Sequence, residues 1–419
     1  MTRLEGRSVM FISYNEMLGG LGQSQVLPYL RALHRVEGVK FTLLSYERDE
    51  AFTPAGKQLC GKLKEQLAAD GIAWHWLRYH QRPSLPATLY DVLAGTAYAR
   101  KLIKSNGVEM IHARSHIPAA IALPLKKSFN LKLLFDLRGL MAEEYADAGH
   151  WRENSAPFRL TKTLERRAFA NADGLVTLTE AIWPVIKDWP GLRGRDLPRA
   201  VVPCCADLDK FKFDEQLRDS RRAELGVENR FVTVYSGSLD GWYLTAEMAD
   251  FCAAAAHENP EAFFLWLTPR HHERVHTLMR ERGLNEKQYA VIAARPDAVP
   301  SYLCAADAGL AFIKPCFSKI ASSPTKTAEY LGCGLPLVIN AGIGDSDALI
   351  TQENAGALVT EFTPEAYRAA FRAVAAPMPD VTRRRSRTVA ARLFDLQTVG
   401  LQRYAALYEA ILVNRHYPK

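Results

Sequence analysis

Short apolar, β-rich runs alternate with amphipathic helical stretches along nearly the whole chain, in two successive sets. That alternation restricts the fold to parallel sheets with helices on both faces. In the first set, strands are expected at Val9–Tyr14, Phe41–Tyr46, Ala73–Leu77, Met110–His112, Lys132–Phe135 and Gly174–Thr177. Helical patterns between them cover Gln23–Arg35, Pro54–Asp70, Pro86–Ser105 and Ala156–Ala172. In the second set, the strands are Phe231–Ser236, Ala262–Leu267, Tyr289–Ile292, Ala308–Ile313 and Leu337–Asn340. The helices there are Leu244–Glu258, His271–Arg282, Pro300–Ala306 and Pro324–Gly332. A chain of 419 residues is long enough for two such domains. The expected boundary is the stretch Trp189–Arg199, rich in Pro and Gly, which divides the chain into 1–200 and 201–395.

Composition narrows the class. Hydrophobic residues make up 48% and charged residues 24%, too apolar for a disordered chain. Runs such as Ile117–Leu125 fall far short of a membrane span, and no signal peptide is expected at the amino terminus. The seven Cys form no C-x-x-C pair and none has zinc spacing to a His, so a reducing cytoplasm is the expected compartment. The net charge of +7 is unevenly placed. Residues 1–200 hold 28 Lys and Arg against 20 Asp and Glu, while the rest of the chain is one positive charge short of neutral. The basic excess therefore belongs to the first half, where it either attracts an anionic partner or merely aids solubility.

In open α/β sheets, ligands sit beyond the carboxyl ends of strands, so the strand-to-helix junctions carry the chemistry. The first is Gly19-Gly20-Leu21-Gly22, which reads equally as a tight turn or a ligand cradle. It lacks the G-x-G-x-x-G spacing, and its candidate ribose acids, Glu47 and Asp49, lie in a charged loop. The next two junctions place His112, Arg114 and His116, then Asp136 and Arg138, at the ends of apolar strands. They read as crevice residues, with an internal Asp136–Arg138 or Arg114–Asp136 ion pair as the alternative. Asp207 and Asp209 lack a third oxygen donor for a metal, and Asp207 is read as a turn cap. The last junction, Ser323-Pro324-Thr325-Lys326 with Glu329, is the most informative. Ser323 is expected to cap a helix opening at Pro324. The helix N–H groups and Lys326 suit a diphosphate, and Glu329 one turn on suits a ribose diol.

This block, continued by Glu329-Tyr330-Leu331 and Gly334-Leu335-Pro336, resembles the nucleotide-sugar site of the family 4 retaining glycosyltransferases. Val202-Pro203 with Asp207 and Phe211 resembles that family's interdomain segment. Gly19–Leu27 resembles the amino-terminal loop of a bacterial subgroup, and Tyr235-Ser236-Gly237-Ser238-Leu239 the start of its second domain. The resemblance implies a GT-B α/β fold, two Rossmann-like doubly wound domains facing across a cleft. A final helix, Leu396–Asn414 within residues 396–419, would pack back on the first domain. A nucleoside-diphosphate sugar would be the donor, bound by Gly20, Gly22, Gly237, Ser238, Ser323, Thr325, Lys326 and Glu329. Arg114, His116, Asp136, Arg138 and Lys326 would be catalytic, with no cofactor and no metal. The acceptor would be a lipid-linked molecule or a saccharide, in polysaccharide, lipopolysaccharide or glycolipid assembly. The basic first domain would touch the cytoplasmic membrane face, and no nucleic acid partner is expected.

The chain departs from that family in three places. Ala321 stands where the first acid of the E-x7-E motif is usual. Ser238 and Trp242 stand near where an Arg and a Lys usually clasp the diphosphate, so Lys326, with Lys314 or Lys319, would supply that charge. Arg114 occupies the second position of the usual His-x-His. A nucleotide-sugar 2-epimerase and a non-catalytic nucleotide-sugar-binding protein are the rival readings.

Overall fold

The computed structural model describes residues 2–376 and 378–413. The chain forms two compact units. It leaves the first after Pro203, builds the second from Cys204–Asp395, and returns to the first at Leu396. Asn414, expected in the final helix, lies outside the described residues.

The first unit holds seven strands: β1 (Ser8–Ser13), β2 (Lys40–Glu47), β3 (Ile72–Arg78), β4 (Met110–Arg114), β5 (Lys132–Asp136), β6 (Gly174–Thr177) and β7 (Arg199–Val201). All pair in parallel in the order β3-β2-β1-β4-β5-β6-β7. The second holds β8 (Val232–Ser236), β9 (Phe263–Leu267), β10 (Tyr289–Ile292), β11 (Ala308–Ala311), β12 (Leu337–Asn340) and β13 (Gly356–Val359). These are also parallel, in the order β10-β9-β8-β11-β12-β13. Helices cover both faces of each sheet, which is why the central strands are apolar throughout rather than alternating. Along β9, Phe264 and Trp266 enter one core while Phe263, Leu265 and Leu267 enter the other.

Two expectations change. The stretch 189–198 is not the place where the chain leaves the first unit. Arg199 opens β7, which pairs with β6, and Leu192 and Arg195 tie the preceding loop down. Arg195 donates to the Phe169 and Ala172 carbonyls. The basic run Arg383–Arg385 with Arg387 is, on sequence alone, most simply a solvated helix face; it lies on a helix (Pro379–Leu393) whose Arg387 fork is turned inward. It donates to the carbonyls of Phe211, Gly332 and Leu208 at 2.8–2.9 Å. Among the described residues, no helix is long and apolar enough to cross a membrane.

In each sheet the strand order reverses once, between β1 and β4 and between β8 and β11. At such a reversal the flanking connections diverge to opposite faces and leave a crevice beyond the strand ends. The candidate residues emerge at both reversals.

Candidate functional site

In the second unit, β8 ends in Ser236 and Gly237, and a helix (Thr325–Gly332) lies across β11. Gly309 makes that approach possible, because a Cβ there would stand 2.2 Å from the Tyr330 ring. The Tyr330 hydroxyl accepts the Ser236 N–H at 2.7 Å, which fixes the helix against the end of β8. Lys326, 4% exposed, is thereby held beside Gly237. A Cβ on Gly237, whose φ is +144°, would stand 3.1 Å from Lys326 Nζ. The ammonium lies 3.5 Å from the centre of the Tyr243 ring and 5.1 Å from that of Tyr235. No carboxylate of the described residues pairs with it. Burial pulls its pKa from the usual lysine value down to about 7, against the opposing charge of Glu329. Glu329 is pushed up by burial, opposed by Lys326 and Lys210.

Ser323 does not cap this helix as expected. Its hydroxyl accepts the Cys204 N–H at 3.1 Å, and Pro324 holds the cap position without a side-chain bond. The helix starts at Thr325, so its first turn keeps N–H groups that have no intrahelical partner. Ser238 is exposed, and its carbonyl accepts the Tyr235 hydroxyl. Trp242, near the place where the resembled family usually has a cation, has its ring centre 3.6 Å from Lys319 Nζ. Two buried lysines from one connection thus rest on two adjacent aromatics from another. The aromatic pair Trp242-Tyr243 is the part of this arrangement that motif reading missed. Its signal was the missing Arg and Lys. Ala321 is buried, where the usual acid would stand. Asp207 caps a turn, accepting the N–H groups of Asp209 and Lys210 at 3.0 and 3.3 Å.

In the first unit, the glycine loop opens a short helix (Gly20–Gln25). Gly22 is demanded by packing: a Cβ there would stand 2.3 Å from the Glu16 carbonyl. Gly20 faces open space. Glu47, a ribose candidate, is buried and holds this loop instead, accepting the Met17 N–H at 2.8 Å and the Ser45 hydroxyl at 2.7 Å. Asp49 is exposed beside Arg78 at 3.6 Å. Arg114, at the end of β4, donates to Asn15 Oδ1 at 3.0 Å. The next residue, Ser115, has φ of +79°, a conformation that costs energy in a residue with a Cβ and turns the chain sharply into the following helix.

Asp136 sits in a buried network. It accepts the Tyr404 hydroxyl at 3.0 Å, faces His112 Nε2 at 3.3 Å, and lies 3.7 Å from Arg138. Burial alone would raise its pKa, but the Arg138 charge and the His112 hydrogen bond outweigh burial and hold it at about 2. The Tyr408 hydroxyl lies 2.7 Å from the other His112 nitrogen. Both tyrosines come from the returning helix (Gln402–Leu412), and no motif pointed to them. His116 stands apart from this group. It is fully buried, with Nε2 at 3.1 Å from Glu165, which Lys162 also binds. Among the described residues, no group of three or more His, Cys, Asp or Glu is placed to hold a metal ion.

The fold is the two-unit α/β GT-B architecture. No protein-family model and no curated protein sequence matches the chain. Solved structures do match over nearly the full length. A sucrose-phosphate synthase from Thermosynechococcus elongatus superposes with a TM-score of 0.72 at 16% identity, covering 98% of this chain and 100% of that one. HepE from Anabaena, in complex with UDP and glucose, gives 0.67 at 17%, covering 95% and 98%. WaaG, a glycosyltransferase involved in lipopolysaccharide biosynthesis, gives 0.66 at 16%, covering 95% and 99%. At these identities the likeness is one of fold.

Proposed function

We propose that the protein is a retaining glycosyltransferase that moves a sugar from a nucleoside-diphosphate sugar to a hydroxyl of an acceptor. The observation that carries this reading is Lys326. A buried ammonium without a carboxylate partner, at the first turn of a helix and against a glycine, is a site waiting for an anion. A diphosphate supplies that anion, and Glu329 three residues on accepts the ribose hydroxyls. The GT-B neighbours solved with UDP and glucose support this choice of donor.

Negative charge builds on the leaving diphosphate as the glycosidic bond breaks. Lys326 and the N–H groups of Thr325 and Lys326 stabilise it in a site with little water, where such interactions are strongest. Lys319 adds a second positive charge nearby. On the acceptor side, Arg114 beside Asn15 is the group best placed to touch substrate. Asp136 positions Arg138, while His112 and Tyr404 hold Asp136. His116 is a positioning residue that braces the helix entering this region through Glu165. Retention by a front-face route, membership of family 4 and a role in surface-polysaccharide or glycolipid assembly follow from the sequence resemblance and belong to the proposal.

The test is a thermal-shift screen across UDP-, GDP-, ADP- and dTDP-sugars, followed by assay of the binding donor with and without acceptor mixtures. Saturable stabilisation by one donor and acceptor-dependent release of nucleotide are expected. Donor consumed to its 2-epimer without acceptor, or bound but never turned over, would replace this reading with one of its rivals.

A further inference from the structure

The first unit contains a pocket of about 960 Å³ that no step above uses. Its volume lies at the upper end of ordinary small-molecule sites. One end is the glycine loop, with Asn15, Gly20 and Leu21 in its wall, and Asn15 is the partner of Arg114. From there it runs between three helices, Ser84–Asn106, His116–Phe129 and Ala156–Asn171. Their contributions are chiefly apolar: Leu85, Leu89, Val92, Ile117, Leu160 and Leu164. Several of these are exposed, Leu89 at 59% and Leu160 at 61%, and Leu85 and Leu89 follow the i, i+4 spacing of one helix face. Leaving such a surface in water is unfavourable, so it marks a binding site for an apolar group.

The polar groups in the wall narrow the occupant. Tyr14 and Tyr46 line the pocket, but their hydroxyls are already given to Asp91, to its carboxylate and its carbonyl respectively. Their rings therefore add carbon surface to the leucine wall, which suits a hydrocarbon chain. The charged groups are mostly positive. Arg48 is balanced by Glu16 at 3.4 Å, while Lys127 and Arg167, exposed and without a carboxylate partner among the described residues, lie toward the C-terminal ends of their helices, away from the glycine loop.

We infer that the pocket seats the hydrocarbon tail of an amphiphilic acceptor, whose headgroup and reacting end lie toward Gly20 and Asn15. This rests on the glycosyltransferase reading and narrows its acceptor to a lipid-borne one.

Trp151 lines the same pocket and serves as reporter. Dodecyl phosphate brominated in its chain, titrated below its micelle concentration, should quench tryptophan fluorescence saturably. Trp151→Phe should lose most of that quenching. Butyl phosphate should leave the fluorescence unchanged and fail to displace the brominated chain. Leu89→Asp, on an exposed position, and Leu164→Asp should each weaken binding about tenfold. The sugar-nucleotide thermal shift, measured on every sample, reports folding and the donor site independently. No saturable quenching, equal quenching in Leu89→Asp, or quenching only with vesicles would overturn the inference. If the donor still binds in that case, the enzymatic reading stands. If dodecyl phosphate binds and no sugar nucleotide does, the pocket stands and the enzymatic reading falls.

Discussion

Lys326 is the residue on which most depends, and its setting works against stability. Its folded pKa of about 7 lies below that of an unfolded lysine. The cost of burying its charge is therefore full below pH 7 and disappears as pH rises toward about 10. Lys326→Met should accordingly stabilise the protein by about 2 kcal/mol at pH 7, with the gain vanishing above about pH 10, while abolishing donor binding. Chemical denaturation across that pH range checks the first part. A bound diphosphate raises the Lys326 pKa, so donor affinity should be full below pH 7. Above it, affinity should fall by about tenfold per pH unit until the pKa of the bound state is reached. A flat calorimetric profile from pH 6 to 9 would remove Lys326 from the anion site. Asp136 has the opposite sign. Its folded pKa of about 2 makes its ion pairing a source of stability above pH 4 that is lost as pH falls toward 2. Asp136→Asn should cost about 3 kcal/mol at pH 7 and flatten the acid limb of the stability curve.

At the scale of elements, the strand-to-helix alternation was legible because parallel strands buried on both faces are short apolar runs with little ambiguity. β8 ends at Ser236 as expected and β1 and β5 end within one residue of expectation, but β4 runs two residues past the expected His112, so Arg114 closes the strand instead of opening the loop. β13 escaped notice. Its Gly-Ala-Leu-Val is four residues long, and Gly356 is needed because a Cβ there would stand 2.0 Å from the Leu337 carbonyl. The Ser323 cap failed for a related reason. Local chemistry favoured it, but a distant N–H, that of Cys204, took the hydroxyl. Arg387 shows the same override. Three charges in a row read as solvent-facing, yet one of the helix's cations closes three carbonyls from two separate segments. Arg387→Ala leaves those carbonyls unpaired and should cost about 3 kcal/mol. Amide exchange should quicken in Thr325–Gly332 and Pro379–Leu393 before it does in the first unit.

At the scale of the whole molecule, the same architecture is built twice, and each copy puts its chemistry at the reversal of its strand order. The two copies differ in what they offer. The second presents buried lysines on aromatic rings, suited to a small anion. The first presents an open apolar pocket beside a buried ionic network, in the half of the chain that carries the basic excess. Motif spacing exposed the first of these, because a helix start with Lys and Glu has a sequence signature. The apolar pocket has none, since its leucines lie on three helices far apart in the chain. Adsorption to vesicles of anionic lipid should be lost between about 0.05 and 0.5 M salt, as the Debye length shrinks from above 10 Å to a few ångströms. Vesicle flotation reads this directly, and retention at high salt would assign the contact to the exposed leucines instead.

The central claim is that Lys326 and Glu329 hold a nucleoside-diphosphate sugar. Its most direct test is a calorimetric titration at pH 7 of the sugar nucleotide that gives the largest thermal shift, against the wild type, Lys326→Ala and Glu329→Ala. Saturable one-to-one binding to the wild type is expected. Lys326→Ala should lose at least about a hundredfold, the cost of removing a charge-assisted contact to phosphate, and Glu329→Ala should lose less. Unchanged affinity in Lys326→Ala, with the wild type binding normally, would contradict that claim.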